Sequence, residues 1–227
     1  MNTPKWQVLI ADDHSIIRNG LKNILADTPD FEVAGEAGNG NAVLDLVRQR
    51  DWSLLVLDIS MPGRNGLELI KLIQAERPRL PVLIFSMHHE EQYAVRAIRA
   101  GARGYLSKEG DMDLLLPAMR RVAQGGRYIS PKVAELLAMD MSPVGHDLPH
   151  TALSNREFEV FSRIVRGVSM SAIADELSLS IKTVSTHKTN ILHKMGMAGQ
   201  VDLVRYALEH HLLDDLSTLP ADSGPFA

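Results

Sequence analysis

The chain has 227 residues, 45% hydrophobic and 23% charged, a balance that excludes disordered, collagenous and long coiled-coil classes and leaves room for two modest domains. No apolar run approaches the ~18 residues of a membrane helix, no signal peptide precedes Asp12 and Asp13, and the lack of cysteine removes disulfides, thiolate catalysis and thiolate-bound metals, so the expected location is the cytoplasm. The net charge of −4 is unevenly spread: residues 1–124 hold 15 Lys+Arg against 16 Asp+Glu, whereas Leu177 to Val201 holds Lys182, Lys188 and Lys194 and no acid.

Five β-like runs mark the first half: Gln7 to Ala11, Phe31 to Ala37, Ser53 to Asp58, Pro81 to Ser86 and Gly104 to Ser107. Between and after them lie helical stripes, the first Ile16, Ile17, Leu21, Ile24 and Leu25, the third Leu67, Leu69, Ile70, Leu72 and Ile73, the fifth Leu114, Leu115, Ala118, Met119 and Val122. Strict β–α alternation with short connections predicts a doubly wound, five-stranded parallel sheet covered on both faces, and the continuously apolar Val8 to Ile10 and Leu54 to Leu57 suit doubly buried strands. The pattern breaks at Gln124, Gly125 and Gly126. A short helix from Pro131 to Met139 and a Pro/Gly-containing stretch from Asp140 to Thr151 then read as a linker.

From Ser154 onward only helical signals remain. Ser154 and Glu157 form a capping box opening a helix with Phe158, Phe161, Ile164 and Val165 inward, and Ser169 to Leu177, Ile181 to Met195 and Gln200 to Leu212 follow. The predicted organisation is a first domain over 1–124, a linker with a short helix over 125–151, an all-α domain over 152–213 and a tail over 214–227.

In an open parallel sheet, ligands bind beyond the carboxyl ends of the strands near the reversal in strand order. Strand one ends in Asp12 and Asp13, strand three in Asp58, strand four in Ser86, and strand five runs into Lys108. Three converging carboxylates recruit a cation, and an oxygen-only set without His or Cys suits Mg²⁺. With a lysine and a hydroxyl alongside, the set is a phosphoryl-transfer constellation in which one acid attacks phosphorus. Asp58, at the end of the central strand and the start of a glycine-containing loop through Gly66, is the nucleophile candidate.

These residues, with the run Leu57 to Gly63 and with Tyr105 three residues before Lys108, resemble the receiver domain of bacterial response regulators over roughly residues 5–124. The resemblance implies Asp58 as phosphoacceptor, Asp12, Asp13, Asp58 and the Ser60 backbone carbonyl as Mg²⁺ ligands, Ser86 and Lys108 as phosphoryl-binding groups, and Tyr105 as a switch that turns inward with Ser86. Two positions depart from the family: Met87 is bulkier than the usual small residue, and Glu109 follows Lys108 where proline is usual.

In the second domain Ile173, Ala174 and Leu177 pack one helix, and Val184, Ile191 and Met195 line the next, leaving Lys182, Ser185, Thr186, Thr189 and His193 on an acid-free face that suits a major groove. This segment resembles the four-helix LuxR-type helix-turn-helix domain, which with a receiver defines the NarL/FixJ class. The resemblance implies base-facing Ser185, Thr186 and Thr189, phosphate contacts from Lys182, Thr183 and Lys188, and a dimerising last helix bearing Val201, Val204 and Leu208. Many relatives carry Lys or Arg where Ser185 stands.

The expected protein is thus a two-component response regulator and not an enzyme, beyond self-catalysed phosphorylation and dephosphorylation at Asp58. A sensor histidine kinase phosphorylates Asp58, and phosphorylation controls sequence-specific binding to double-stranded DNA and transcription; a homodimer on DNA and RNA polymerase are the other expected partners, with no membrane. Two alternatives are a phosphorylation-independent regulator whose receiver serves dimerisation, and a phosphoaspartyl phosphatase or phosphotransferase. The latter class usually carries its nucleophile in an Asp-x-Asp at the first strand, unlike the adjacent Asp12 and Asp13.

Overall fold

A computed structural model describes residues 5–62, 65–88, 90–140, 148–177, 179–210 and 212–213. Its contacts divide the chain into two compact units that part between Asp147 and Leu148. Gly63 and Arg64, in the segment after Asp58, and the expected tail from residue 214 lie outside the described residues.

The first unit is built on five parallel strands, β1 (Trp6–Ala11), β2 (Phe31–Ala37), β3 (Leu54–Leu57), β4 (Val82–Ser86) and β5 (Gly104–Ser107), in the order β2-β1-β3-β4-β5. Every residue of β3 and β4 is buried, as strands covered on both faces must be. Helices α1 (Ser15–Ala26), α2 (Gly40–Gln49), α3 (Gly66–Glu76), α4 (Glu90–Ala100) and α5 (Leu115–Ala123) supply the cover. One side of the sheet packs Val8, Ile10, Leu54, Val56, Leu83 and Phe85 against Leu21 and Leu25 of α1 and Leu115, Met119 and Val122 of α5.

Three residues assigned to apolar stripes point outward instead: Ile16 is 82% exposed, and Leu72 and Leu114 are also exposed. At 100° per residue Ile16 sits about 140° from Leu21 and Leu72 well off the Leu69–Ile70–Ile73 line, so apolarity alone placed them in stripes their angle excludes. Leu114 lies in a 3-10 turn (Met112–Leu114) that precedes α5.

The stretch expected to begin a linker at residue 125 instead continues the first unit. The Tyr128 N–H donates to the Arg103 carbonyl (2.9 Å) and the Tyr105 N–H to the Tyr128 carbonyl (3.3 Å), a bridge that extends the sheet edge beside Gly104. Helix α6 (Pro131–Asp140) packs on α4 with Val133 fully buried. A glycine-rich punctuation at residues 124–126 therefore marks a turn, with Gly125 at φ +85°, and the domain does not end there.

The second unit opens with a 3-10 turn (Pro149–Ala152) and holds α7 (Asn155–Val165), α8 (Met170–Glu176), α9 (Ile181–Met195) and α10 (Gln200–Glu209). Its core joins Phe158, Phe161 and Ile164 of α7 to Ile173, Val184, Ile191, Leu203 and Ala207. The capping box is present, with the Ser154 N–H donating to Glu157 Oε2 (2.8 Å) and the Glu157 N–H to Ser154 Oγ (3.3 Å). Lys194 Nζ reaches the same Glu157 oxygen at 2.7 Å, tying the end of α9 to the start of α7.

Burial pushes the Glu157 carboxyl up, but the Lys194 ammonium and the Ser154 N–H outweigh it and hold the group below the ordinary glutamate value of 4.5. A depressed carboxyl pKa contributes stability that is present above the unfolded value and lost as pH falls through the folded one. Unfolding of this unit in urea should therefore become easier below pH 4.5. Glu157→Ala should cost about 1–3 kcal/mol at neutral pH, from the lost cap and ion pair. Glu157→Gln should flatten the acid limb of the stability profile.

Candidate functional site

The reversal in strand order falls between β1 and β3, because the chain leaves β1 for β2 on one side and crosses to β3 on the other. Ladder bonds place the residues that follow these strands side by side: the Asp58 N–H donates to the Ala11 carbonyl (2.8 Å), the Asp12 N–H to the Ala37 carbonyl (3.0 Å) and the Lys108 N–H to the Ser86 carbonyl (2.8 Å). Asp12 and Asp58 are each 2% exposed. Lys108 Nζ lies between them, 2.5 Å from Asp12 Oδ2 and 2.6 Å from Asp58 Oδ2. Two buried carboxylates need a cation close by, and the Lys108 ammonium is the counterion the geometry supplies to both.

The second oxygens are also held. Asp58 Oδ1 accepts the Ser60 N–H (2.9 Å) and Asp12 Oδ1 the His14 N–H (2.8 Å). Asp13 is more open, its side chain 32% exposed. Behind this group Ser86 is fully buried, its hydroxyl 3.4 Å from that of Ser60 and accepting the His88 N–H at 3.4 Å. Tyr105 is also fully buried, and its hydroxyl donates to the His88 carbonyl at 2.8 Å. The ring is thus anchored to the segment that follows Ser86. Met87 is half exposed and Lys108–Glu109 is a trans peptide.

The loop after Asp58 is held close by Gly66, where a Cβ would lie 2.4 Å from the Ile59 carbonyl oxygen. Any larger residue would push the loop off Asp58. Asn65 caps α3 by accepting the Glu68 N–H, which fixes where the loop ends.

One feature of the cluster escaped the sequence reading, which treated the ligand set as free of histidine. His14 Nδ1 stands 3.0 Å from Asp13 Oδ1 and 3.3 Å from Asp12 Oδ1. Ligand atoms of Asp12, Asp13, His14 and Asp58 all fall within 4.8 Å of one another. Adjacency to Asp13 in sequence was the available signal. Three acids gathered around one lysine supply an excess of hard oxygen donors, so the site fits a divalent cation such as Mg²⁺.

In the second unit, α9 turns Val184, Ile191 and Met195 inward and leaves Lys182, Ser185, Thr186, Thr189 and His193 exposed. Thr183 and Lys188 are half-buried. Ser180 caps the helix by accepting the Thr183 N–H (3.0 Å), and its hydroxyl shares a hydrogen bond with that of Thr183. Lys188 Nζ donates to Gln200 Oε1 (3.1 Å). Lys194, counted in the basic stretch, is engaged by Glu157. On α10, Val201 and Leu208 are exposed and, with Val204, line a shallow apolar groove.

Residues 8–120 match the family model "Response regulator receiver domain" and residues 151–207 the model "Bacterial regulatory proteins, luxR family". The response regulator GacA of Pseudomonas aeruginosa is 34% identical over 212 residues, covering 93% of this chain and 99% of that protein. The oxygen regulatory protein NreC of Staphylococcus carnosus is 36% identical, over 92% of this chain and 99% of its own. Among solved structures, RcsB of Salmonella enterica serovar Typhimurium, bound to promoter rprA in the presence of phosphomimetic BeF3⁻, superposes with a TM-score of 0.63 at 27% identity, over 89% of this chain and 98% of that one. No helix among the described residues is long and apolar enough to cross a membrane. The receiver fold with its acid cluster, followed by a helix-turn-helix unit and matched across both units by such relatives, makes this chain a member of the two-component response regulators that carry a LuxR-family DNA-binding domain.

Proposed function

We propose that Asp58 accepts a phosphoryl group from a sensor histidine kinase and that this modification controls DNA binding by the second unit. The observation that carries the reading is the Lys108 ammonium held between Asp12 and Asp58 at the carboxyl ends of β5, β1 and β3. Asp58 Oδ2 is the attacking oxygen. It forms a P–O bond as the bond from phosphorus to the donor breaks, and the Lys108 ammonium passes from the carboxylate to a phosphoryl oxygen one bond further out. The Ser60 N–H keeps Oδ1 in place throughout, and the Ser86 hydroxyl is the second donor to the phosphoryl group.

Asp12, Asp13, Asp58 and the Ser60 backbone carbonyl would hold Mg²⁺. What the bound ion supplies is positive charge opposite the phosphoryl oxygens. The same residues carry self-catalysed phosphorylation from small donors and the reverse loss of phosphate. Tyr105, anchored on the His88 carbonyl, reports the position of the Ser86 segment to the face formed by α4, β5 and α6. In the second unit Lys182, Thr183 and Lys188 would contact DNA phosphates and Ser185, Thr186 and Thr189 the base edges. Pairing through Val201, Val204 and Leu208 of α10 would set two copies on neighbouring half-sites. The protein would work in the cytoplasm, altering access of RNA polymerase to the bound promoter. We place the receiver from residue 5 through α6, the linker over 141–147 and the DNA-binding domain over 148–213.

The test treats the full chain with acetyl phosphate and Mg²⁺ and follows its mass, quaternary state and affinity for DNA at one salt concentration. The fragment over 148–213, which has its own core, is compared in parallel. Phosphorylated chain and fragment should bind more tightly than unphosphorylated chain. Equal affinity for all three would remove the coupling between the units.

A further inference from the structure

The reading face of α9 bears a chemical character that its sequence of polar residues conceals. Thr186 Oγ1 donates to the Lys182 carbonyl (3.0 Å) and Thr189 Oγ1 to the Ser185 carbonyl (3.2 Å), both four residues back along the helix. A threonine in this rotamer commits its one hydroxyl proton to the backbone and has no donor left for a base edge. Both residues are exposed, and with the hydroxyl proton committed, what each can offer a base edge is its methyl and an oxygen that can only accept. Asn190, one turn beyond Thr186, is exposed as well, and its amide has the donor and acceptor pair that matches adenine N6 and N7. The helix contains no arginine, the fork that most often reads guanine. Lys188 is drawn toward Gln200 and Lys194 toward Glu157, which leaves the centre of the face to Thr186, Thr189 and Asn190, with Lys182 and His193 beside them.

We infer that α9 selects A·T base pairs, the methyl groups of Thr186 and Thr189 packing on the 5-methyl groups of thymine while the Asn190 amide meets adenine. This rests on the assignment of α9 to the major groove made above. The threonine hydroxyls donate no hydrogen bond to the bases. A methyl–methyl contact excludes water from both groups, and burying one methyl favours binding about fourfold. Ser185, which has no methyl, adds nothing to this term.

The experiment uses the full chain, with and without acetyl phosphate and Mg²⁺, and a library of duplexes with a random central region. The selected duplex is then remade with deoxyuridine in place of thymidine, one position at a time, which removes the 5-methyl and leaves every hydrogen-bonding atom of the base edge. Selected half-sites should be A·T-rich, and at two of their thymines the exchange should weaken binding about fourfold each. Thr186→Ser and Thr189→Ser should bind thymidine and deoxyuridine duplexes alike. Thr186→Val and Thr189→Val, which keep a methyl and lose the hydroxyl, should preserve the discrimination. Helical content of each variant is checked by circular dichroism.

Selected sites that tolerate every exchange to deoxyuridine, or valine variants that fail where serine variants bind normally, would overturn the inference while leaving DNA recognition by α9 in place. No enrichment above random DNA would overturn that recognition and the inference with it.

Discussion

Incubated with acetyl phosphate and Mg²⁺, the full chain is expected to gain the mass of one phosphoryl group, and the Asp58→Asn variant to gain none. The amide keeps an oxygen where Asp58 Oδ1 accepts the Ser60 N–H, so the loop stays anchored. What disappears is the nucleophilic Oδ2, replaced by an NH₂ that faces the Lys108 ammonium. Lys108 retains Asp12 at 2.5 Å, which leaves one buried carboxylate to one ammonium where the natural chain has two. The variant should therefore stay folded, with its loss of labelling reflecting chemistry. Intact-protein mass spectrometry reads the outcome, and circular dichroism confirms the fold. A variant that still gains a phosphoryl group would move the acceptor elsewhere, with Asp12 and Asp13 the next carboxylates to test. EDTA should abolish labelling of the natural sequence and added Mg²⁺ restore it.

The acids of this site were legible because each terminates a run whose apolar content already required a buried strand. Val8 to Ala11 and Leu54 to Leu57 are almost wholly buried, so the charged residues that follow them had to emerge at the same edge of a parallel sheet. The HTH-like unit was legible for a similar reason, since Phe158, Phe161, Val184 and Ile191 recur at helical spacing and are all buried. Sequence was weaker wherever the answer depended on a partner distant along the chain. The engagement of Lys194 by Glu157, 37 residues away, removes one lysine from a basic stretch that looks uniform when read linearly. The addition of residues 126–140 to the first unit depends on backbone bonds between Tyr128 and Arg103 and Tyr105, which no periodicity reports. Thr186 and Thr189 are exposed as their spacing predicts, but where their hydroxyl protons go is a matter of rotamer, and rotamers are set by the helix backbone once it exists.

Lys108→Met is expected to destabilise the first unit strongly. The ammonium is the only cation bonded to both Asp12 and Asp58 among the described residues, and all three side chains are at most 3% exposed. Methionine fills a similar volume and leaves two buried carboxylates facing each other with no counterion. Removing one partner of a buried ionic group typically costs about 3–5 kcal/mol, because the remaining charge stays buried and uncompensated. Urea unfolding followed by circular dichroism should show the loss for this unit. Two further measurements separate lost charge balance from altered packing. Saturating Mg²⁺ should return part of the stability, since a cation that binds only the folded acid cluster stabilises it by mass action. The double variant Lys108→Met, Asp58→Asn should be more stable than Lys108→Met alone, because it removes one of the stranded carboxylates, and a double-mutant cycle gives the coupling between the two positions. Were Lys108→Met as stable as the natural chain, or were its loss indifferent both to Mg²⁺ and to Asp58→Asn, the lysine would not be holding the acid pair together, and its assigned passage from Asp58 to the phosphoryl oxygen would lose its starting point.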